Sequence, residues 1–433
     1  MKGASGDERS RVVYWFIQPT PYAIARFNAV ADRGNIDFEA WFSEVRQVDR
    51  SWDVDETAWR FPARYVPSRS LFGLHLRVPV PELVETRPDV FITEYDRINL
   101  AAGALVARAT AARLAFRVLP NFDATSHRTW WREASKHLLF RTVDGVKVPG
   151  PGGAGLASRY GVPAHRISVV TQSIDVAHYA SALDVPEQER RQRREKLGLC
   201  GCVFLFVGRL VPEKGVDVLL EAYRRLTVSE NRGDVSLVII GDGFDAEHYT
   251  ALAADLSRVR FAGFVQPAEL PDWYALGDCL VLPTYGDSNG LVVEEAFAAG
   301  LPVISSDSAG DIQVRVPQGL AGYIFRAGDE TALTNCMRRV ANKDLTLSQV
   351  RDTANRLVAF RTDSQYAMDF ERFVAHILQN PRRRSVAALA TGFMGRLLIL
   401  ATRLLRWTPS PIFGPSTGDL VASRSQGREQ DRP

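Results

Sequence analysis

In the stretch TYGDSNGLVVEEAFAAGLPVISSD, residues 284–307, seven residues separate Asp287 from Glu295. An unpaired buried carboxylate is costly, so acidic groups in and beside a short apolar helix call for partners. A vicinal diol such as a ribose is one such partner, because it offers two hydroxyl donors to one carboxylate. Upstream, VGRLVPEKG places Arg209 at a strand exit and Lys214 immediately before Gly215 at a helix start. Two cations beside free backbone N–H groups and the positive end of a helix suit a phosphate or diphosphate. Solvated charges on a surface turn, and an Asp287 that serves only the cap region of its helix, are the plainer alternatives. Glu294 and Glu295 point about 100° apart on a helix, so one ligand does not engage both; Glu294 is read as structural.

Two further strand exits, IIGDGFD and FAGFVQ, carry glycines that let backbone come close to a flat ring. Gly263, Phe264 and Val265 are the better candidates for main-chain contacts to a nucleotide base. A helix beginning near Gly290 and ending at Gly300 before Pro302 would turn its first N–H groups, around Ser288, Asn289, Gly290 and Leu291, into the same crevice as Arg209 and Lys214.

These residues need strands to carry them. Apolar runs at 12–19, 89–95, 113–121 and 167–173 read as buried strands of a first half, with helical patterns between them. The second half repeats this grammar from CVFLFVGRL through PVISSD. Strands alternating with helices predict an α/β chain with parallel sheets covered on both faces. Ligands then belong at the carboxyl ends of the strands. A chain of 433 residues is long for one core. The expected division is a first domain over 1–180, a second over 181–380, and a basic extension with a polar tail over 381–433. The charged run between Asp175 and Gly198 is read as a solvated helix ahead of the second domain. DSQYAMDFERFVAHILQ is the helix expected to cross back to the first domain.

Lys and Arg total 53 against 50 acidic residues, a net charge of +3. That balance gives no whole-chain attraction for nucleic acid. The four cysteines, Cys200, Cys202, Cys279 and Cys336, have no ligand spacing for zinc and read as reduced core residues, so no metal is assigned. The polar start lacks a secretory pattern, and no uncharged apolar run reaches the ~20 residues of a spanning helix. A cytoplasmic protein is expected. FMGRLLILATRLLRW, with Arg396, Arg403, Arg406 and the upstream Arg382 to Arg384 cluster, reads as an interfacial helix drawn to anionic lipid at the inner face of the cell membrane. The competing reading packs it on the first domain.

Taken in order, VGRLVPEKGVDVLLEAY, IIGDG, VRFAGFV, LPDWYALGDCLVLPT and DSNGLVVEEAFAAGLPVISSD resemble the retaining glycosyltransferases of family 4, the glycosyl transferases group 1. The resemblance implies the GT-B fold, two facing Rossmann-like domains with a central cleft. It implies a nucleotide-sugar donor of UDP or GDP type, held mainly by the second domain and without a separate cofactor. Arg209 and Lys214 would hold the diphosphate, Glu295 the ribose, and Asp287, with backbone N–H groups of 288–291, the hexose. The family's first glutamate appears here as Asp287, shorter by one methylene. The first domain would take the acceptor, a glycan or lipid-linked glycan. There NFDATSHRTWWREASKH supplies Asp123, His127, Arg128 and Glu133, of which His127 is the candidate to face the donor sugar. QPTPYAIARFN replaces the glycine-rich loop common among relatives. A nucleotide-sugar epimerase of the same architecture and a non-catalytic sugar-nucleotide-binding protein are competing readings, and acceptor-dependent release of nucleotide separates them from a transferase.

Overall fold

The computed structural model describes residues 9–43, 52, 55–66, 69–71, 74–76, 79–94, 97–119, 130–381, 392–400 and 412–413. His127, Asp123, Arg128, Arg382 to Arg384, Arg403 and Arg406 lie outside the described residues.

The first half builds a sheet from β1 (Arg11–Phe16), β2 (Asp37–Phe42), β3 (Ala63–Tyr65), β6 (Val90–Glu94), β7 (Arg113–Arg117), β8 (Gly145–Val148) and β9 (Ile167–Val169). A separate hairpin joins β4 (Arg69–Leu71) to β5 (Leu74–Leu76). A last strand, β16 (Ile412–Phe413), pairs antiparallel with β3. The order β16-β3-β2-β1-β6-β7-β8-β9 reverses direction of travel between β1 and β6. The second half adds β10 (Cys202–Val207), β11 (Val235–Ile240), β12 (Val259–Gly263), β13 (Cys279–Leu282), β14 (Val303–Ser306) and β15 (Gly322–Phe325). Their order is β12-β11-β10-β13-β14-β15, all parallel, with the reversal between β10 and β13. Every residue of β11 and β13 is buried, as parallel strands covered on both faces require. This is the doubly wound pair of sheets of the GT-B fold.

Among the helices are α1 (Pro21–Arg33), α2 (Val216–Arg224), α3 (Leu270–Tyr274), α4 (Val292–Ala298), α5 (Ile312–Arg315) and α6 (Asp363–Gln379). Thr20 caps α1 by accepting from the Ala23 N–H, and Pro21 stands at its first turn, where no N–H is missed. Although α6 follows the second sheet in sequence, it lies on the first. Its Phe370 ring stacks on Tyr14 of β1 at 6.1 Å, and Glu371 pairs with Arg33 of α1 at 2.8 Å. The chain therefore crosses between the halves twice, at 170–175 and at 359–363. The Ile174 N–H donates to the Arg361 carbonyl where the crossings meet.

Several expected strands are shorter than their apolar runs. The run at 167–173 pairs only through Val169, and the rest becomes the first crossing. The charged run before the second sheet is a helix, Glu187–Lys196, whose Arg193 reaches Asp272 and whose Arg190 and Arg194 reach Asp278. Residues 392–400 form a helix that packs on the first half, as the competing reading offered. Leu398 and Ile399 pack on the first core and Gly395 is buried against the Leu105 carbonyl, whereas Phe393, Met394, Leu397 and Leu400 face outward. Among the described residues no helix is long and apolar enough to cross a membrane.

Candidate functional site

The reversal between β10 and β13 is the switch point where a doubly wound sheet takes its ligands, and the loops leaving those two strands meet there. From β10 come Gly208, Arg209 and, after a short turn at Pro212–Lys214, the start of α2. Gly215 begins that helix with φ +65°, and a Cβ there would stand 2.2 Å from the Pro283 carbonyl oxygen. Only glycine lets the two loops come this close.

From β13 comes the loop 284–291, and it meets Lys214 directly. The Lys214 ammonium donates to Asp287 Oδ2, while Asp287 Oδ1 accepts from the N–H groups of Asn289 (2.9 Å) and Gly290 (2.7 Å). Burial alone would raise the Asp287 pKa, but the Lys214 charge and these hydrogen bonds outweigh it and hold the carboxyl below its usual range. The Asn289 side-chain Nδ2 is buried without a hydrogen-bond partner among the described residues. A buried amide donor left unmet calls for a polar partner.

Behind the loop stands α4, which begins at Val292 rather than at Gly290. Its two glutamates have separate fates. Glu294 is 3% exposed and pairs with the Arg315 guanidinium of α5, with Nε at 2.8 Å; Arg361 approaches it at 3.3 Å. The same Arg315 donates to the carbonyls of Asn289, Gly290 and Gly310, so it fixes the loop that carries Asp287. Glu295 accepts from Tyr274 of α3 (2.8 Å) and from Tyr22 of α1 (2.6 Å), the latter reaching across from the first half. Burial raises its pKa, against the opposing hydrogen bonds of Tyr22, Tyr274 and Tyr179. Phenolic O–H groups are the same kind of donor that a ribose diol offers.

Gly263 has φ +71° and open space where a Cβ would point, and Phe264 beside it is half exposed; Val265 packs on the core. The other glycine-bearing exit has a different cause. A Cβ on Gly241 would lie 1.9 Å from the Gly208 carbonyl oxygen, so this glycine serves the packing of one loop on another rather than approach to a ring. Glu133 accepts from Lys136 (3.2 Å) and Tyr160 (3.1 Å), both on the first half. Asp175 caps the helix Val176–Ala180 by accepting from the His178 N–H. Arg315, Tyr22 and Tyr274 were not singled out by sequence. Their partners lie 21, 273 and 21 residues away, beyond any local pattern. Among the described residues no cluster of three His, Cys, Asp or Glu side chains could hold a metal ion.

Residues 201–343 match the family model described as Glycosyl transferases group 1. The D-inositol 3-phosphate glycosyltransferase of Acidothermus cellulolyticus is 30% identical over 219 residues, covering 48% of this chain and 48% of the relative. The enzyme of the same description from Corynebacterium efficiens is 33% identical over 200 residues, 45% of this chain and 47% of the relative. The chain thus spans about half the length of the curated relatives it matches. Among solved structures, Anabaena Alr3699/HepE in complex with UDP superposes with a TM-score of 0.67 at 17% identity, over 84% of this chain and 99% of that one. The lipopolysaccharide outer core galactosyltransferase WaaB gives 0.62 at 21%, over 84% and 99%. At these identities the likeness establishes the fold.

Proposed function

We propose that the protein transfers a sugar from a nucleotide-diphosphate donor to a hydroxyl acceptor with retention at the anomeric carbon, a reading that starts from the match of residues 201–343 to the model of the glycosyl transferases group 1. The observation that carries this is the Lys214–Asp287 pair at the switch point of the second sheet, with the Asn289 amide unmet beside it. Similarity to structures holding UDP and UDP-glucose supports a nucleotide-sugar donor.

In this reading the diphosphate displaces Asp287 from Lys214. The ammonium and Arg209 then face the phosphates, and Asp287, with the 288–291 backbone, turns to hydroxyls of the sugar. As the bond to the anomeric carbon breaks, negative charge grows on the leaving phosphate, where these fixed cations stabilise it. The acceptor hydroxyl attacks from the same face, and its proton passes to the departing phosphate oxygen. No metal is assigned a role. Glu295 exchanges the Tyr22 phenol for the ribose hydroxyls, and closure of the two halves keeps water from the donor. A glycan or lipid-linked glycan is the acceptor. The outward apolar face of residues 392–400, with Arg396, supports peripheral contact with an anionic membrane that would present a lipid-linked acceptor.

The test is release of UDP or GDP from a panel of nucleotide-sugars, with and without extracts of lipid-linked glycans, and NMR of the product's anomeric proton. Acceptor-dependent release and a product of unchanged anomeric configuration are expected. Interconversion of the free donor without an acceptor would favour an epimerase, and an inverted product would overturn retention.

A further inference from the structure

One helix of the first half begins without a cap of its own. The helix Pro151–Arg159 leaves β8 through VPGPGGAG, and Gly150 stands at its N-cap position with no side chain to accept from the first N–H groups. Pro151 removes one of those donors; the others call for an acceptor, best a carboxylate at the positive end of the helix. The acceptor comes from the other half. Asp311, in the loop after β14 and 159 residues on from Gly152, places Oδ1 2.6 Å from the Gly152 N–H. A side chain at Gly150 would obstruct this contact, since a Cβ there would stand 2.5 Å from Asp311 Oδ2. The Gly150 backbone is extended, with φ −174°, so the obstacle to a side chain is the Asp311 carboxylate and not the backbone.

Asp311 itself has φ +54°, in the left-handed region that residues other than glycine seldom occupy, although aspartate tolerates it better than most. Strain of this kind persists only where the surroundings impose it. The neighbours of Asp311 carry the constraint to the donor loop. Gly310, the preceding residue, donates its N–H to the Asp287 carbonyl at 2.7 Å, and the Asp287 N–H donates to the Ser308 carbonyl at 3.4 Å. The 308–310 backbone thus holds Asp287 on both of its peptide groups. Further on, Arg315 of α5 donates to the carbonyls of Asn289, Gly290 and Gly310. One short segment, 308–315, therefore touches the first half at Asp311 and the donor loop on either side of it.

We propose that Asp311 is a positioning residue: its carboxylate clasps the start of the Pro151–Arg159 helix, and by way of Gly310 and Arg315 the clasp sets the 287–291 loop when the two halves are engaged. This deepens the transferase reading and rests on it for its effect on rate. Asp311 acts on no reacting atom; it holds the Asp287 loop in register with the acceptor half. The Tyr22–Glu295 bond also joins the halves, but ribose displaces it, whereas Asp311 keeps its bond.

The experiment is hydrogen exchange of the full chain followed by mass spectrometry, with kinetics of nucleotide release and calorimetry of UDP on the same proteins. Asp311→Gly removes the carboxylate and keeps the left-handed backbone. Asp311→Asn keeps that backbone and an oxygen acceptor, and Gly150→Ala crowds the carboxylate from the first half. In Asp311→Gly, exchange should quicken roughly fivefold over 151–156, the strength of one capping bond, and by a few-fold over 287–291. Gly150→Ala should show the same pair of changes, and Asp311→Asn should restore most of both. In an Asp311→Gly background Gly150→Ala should add little, because the group it crowds is gone. In Asp311→Gly kcat should fall roughly tenfold, with the UDP Kd within about twofold of wild type. Faster exchange confined to 151–156 would reduce Asp311 to a local cap and overturn the proposal, as would no change in either segment, full additivity of the two substitutions, or an unchanged kcat. If wild type turns over no nucleotide-sugar, the transferase reading falls, and exchange over 287–291 still decides the clasp.

Discussion

The two switch points use the same topology and differ in how they settle their charge. At the second, Lys214 has an opposite charge of its own in Asp287, and behind it Arg315 neutralises Glu294. At the first, Lys147 rests on aromatic rings and the Tyr14 hydroxyl has no partner among the described residues. A crevice that is internally paired can stand without ligand and exchange partners when ligand enters. One whose lysine has no carboxylate against it among the described residues settles the charge by a lowered lysine pKa instead. The difference implies that removing a group from the second site breaks a pair, whereas removing Lys147 from the first breaks none.

The largest effect should come from Arg315→Met, which leaves Glu294 buried with Arg361 alone. Breaking a buried pair costs about 3–5 kcal/mol, to be read from urea unfolding. A loss within ~0.5 kcal/mol would mean that the pair does not brace the 287–291 loop. Next, Lys214→Met should lower kcat/KM for nucleotide release by about 10²–10³, with a loss of stability smaller than that of Arg315→Met because Asp287 keeps its two backbone N–H donors. Comparable losses in activity and stability would make Lys214 a structural residue instead. Tyr22→Phe removes one bond to a buried carboxylate, worth about 1.5–3 kcal/mol in full, less where ligand replaces it. In calorimetry the donor should bind several-fold tighter to this variant, because the phenol no longer competes for Glu295; weaker binding would place Tyr22 on the donor's side of the contact.

A smaller effect concerns acid. Because the Asp287 pKa lies below its unfolded value, the stability it adds is fully present above about pH 4 and is lost as pH falls through the lowered value. Asp287→Asn should therefore flatten the acid limb of a melting-temperature profile while leaving the neutral region's slope unchanged. Smallest of all, Leu397→Glu on the outward face should reduce sedimentation with anionic vesicles and leave transfer to a water-soluble acceptor intact. Unchanged sedimentation would remove the membrane reading for this helix.

The second half was legible because its chemistry is written next to its strands. VGRLVPEKG and DSNGLVVEE each carry strand exit, charge and helix start within a few residues, so order alone brings Lys214 to Asp287. The first half is less so. β2, DFEAWF, mixes two acids into a strand, and β8, GVKV, is four residues long with a lysine in it, so neither looks apolar enough to predict. The residues of its cavity come from α1, β1, β7, β8 and α6, scattered over more than three hundred positions, and nothing local links Arg26 to Tyr366. Arg315 escaped for a related reason. Its helix, α5, is four residues long and shows no periodicity, yet its guanidinium reaches Glu294 and three carbonyls.

The most direct test of the central claim is titration calorimetry of UDP, GDP and ADP into wild type, Lys214→Met and Glu295→Ala. One base should bind clearly better than the others, and both variants should weaken it, Lys214→Met through the diphosphate and Glu295→Ala through the ribose. Equal binding of that nucleotide by wild type and both variants, or none by wild type at millimolar concentration, would contradict a donor site at this switch point.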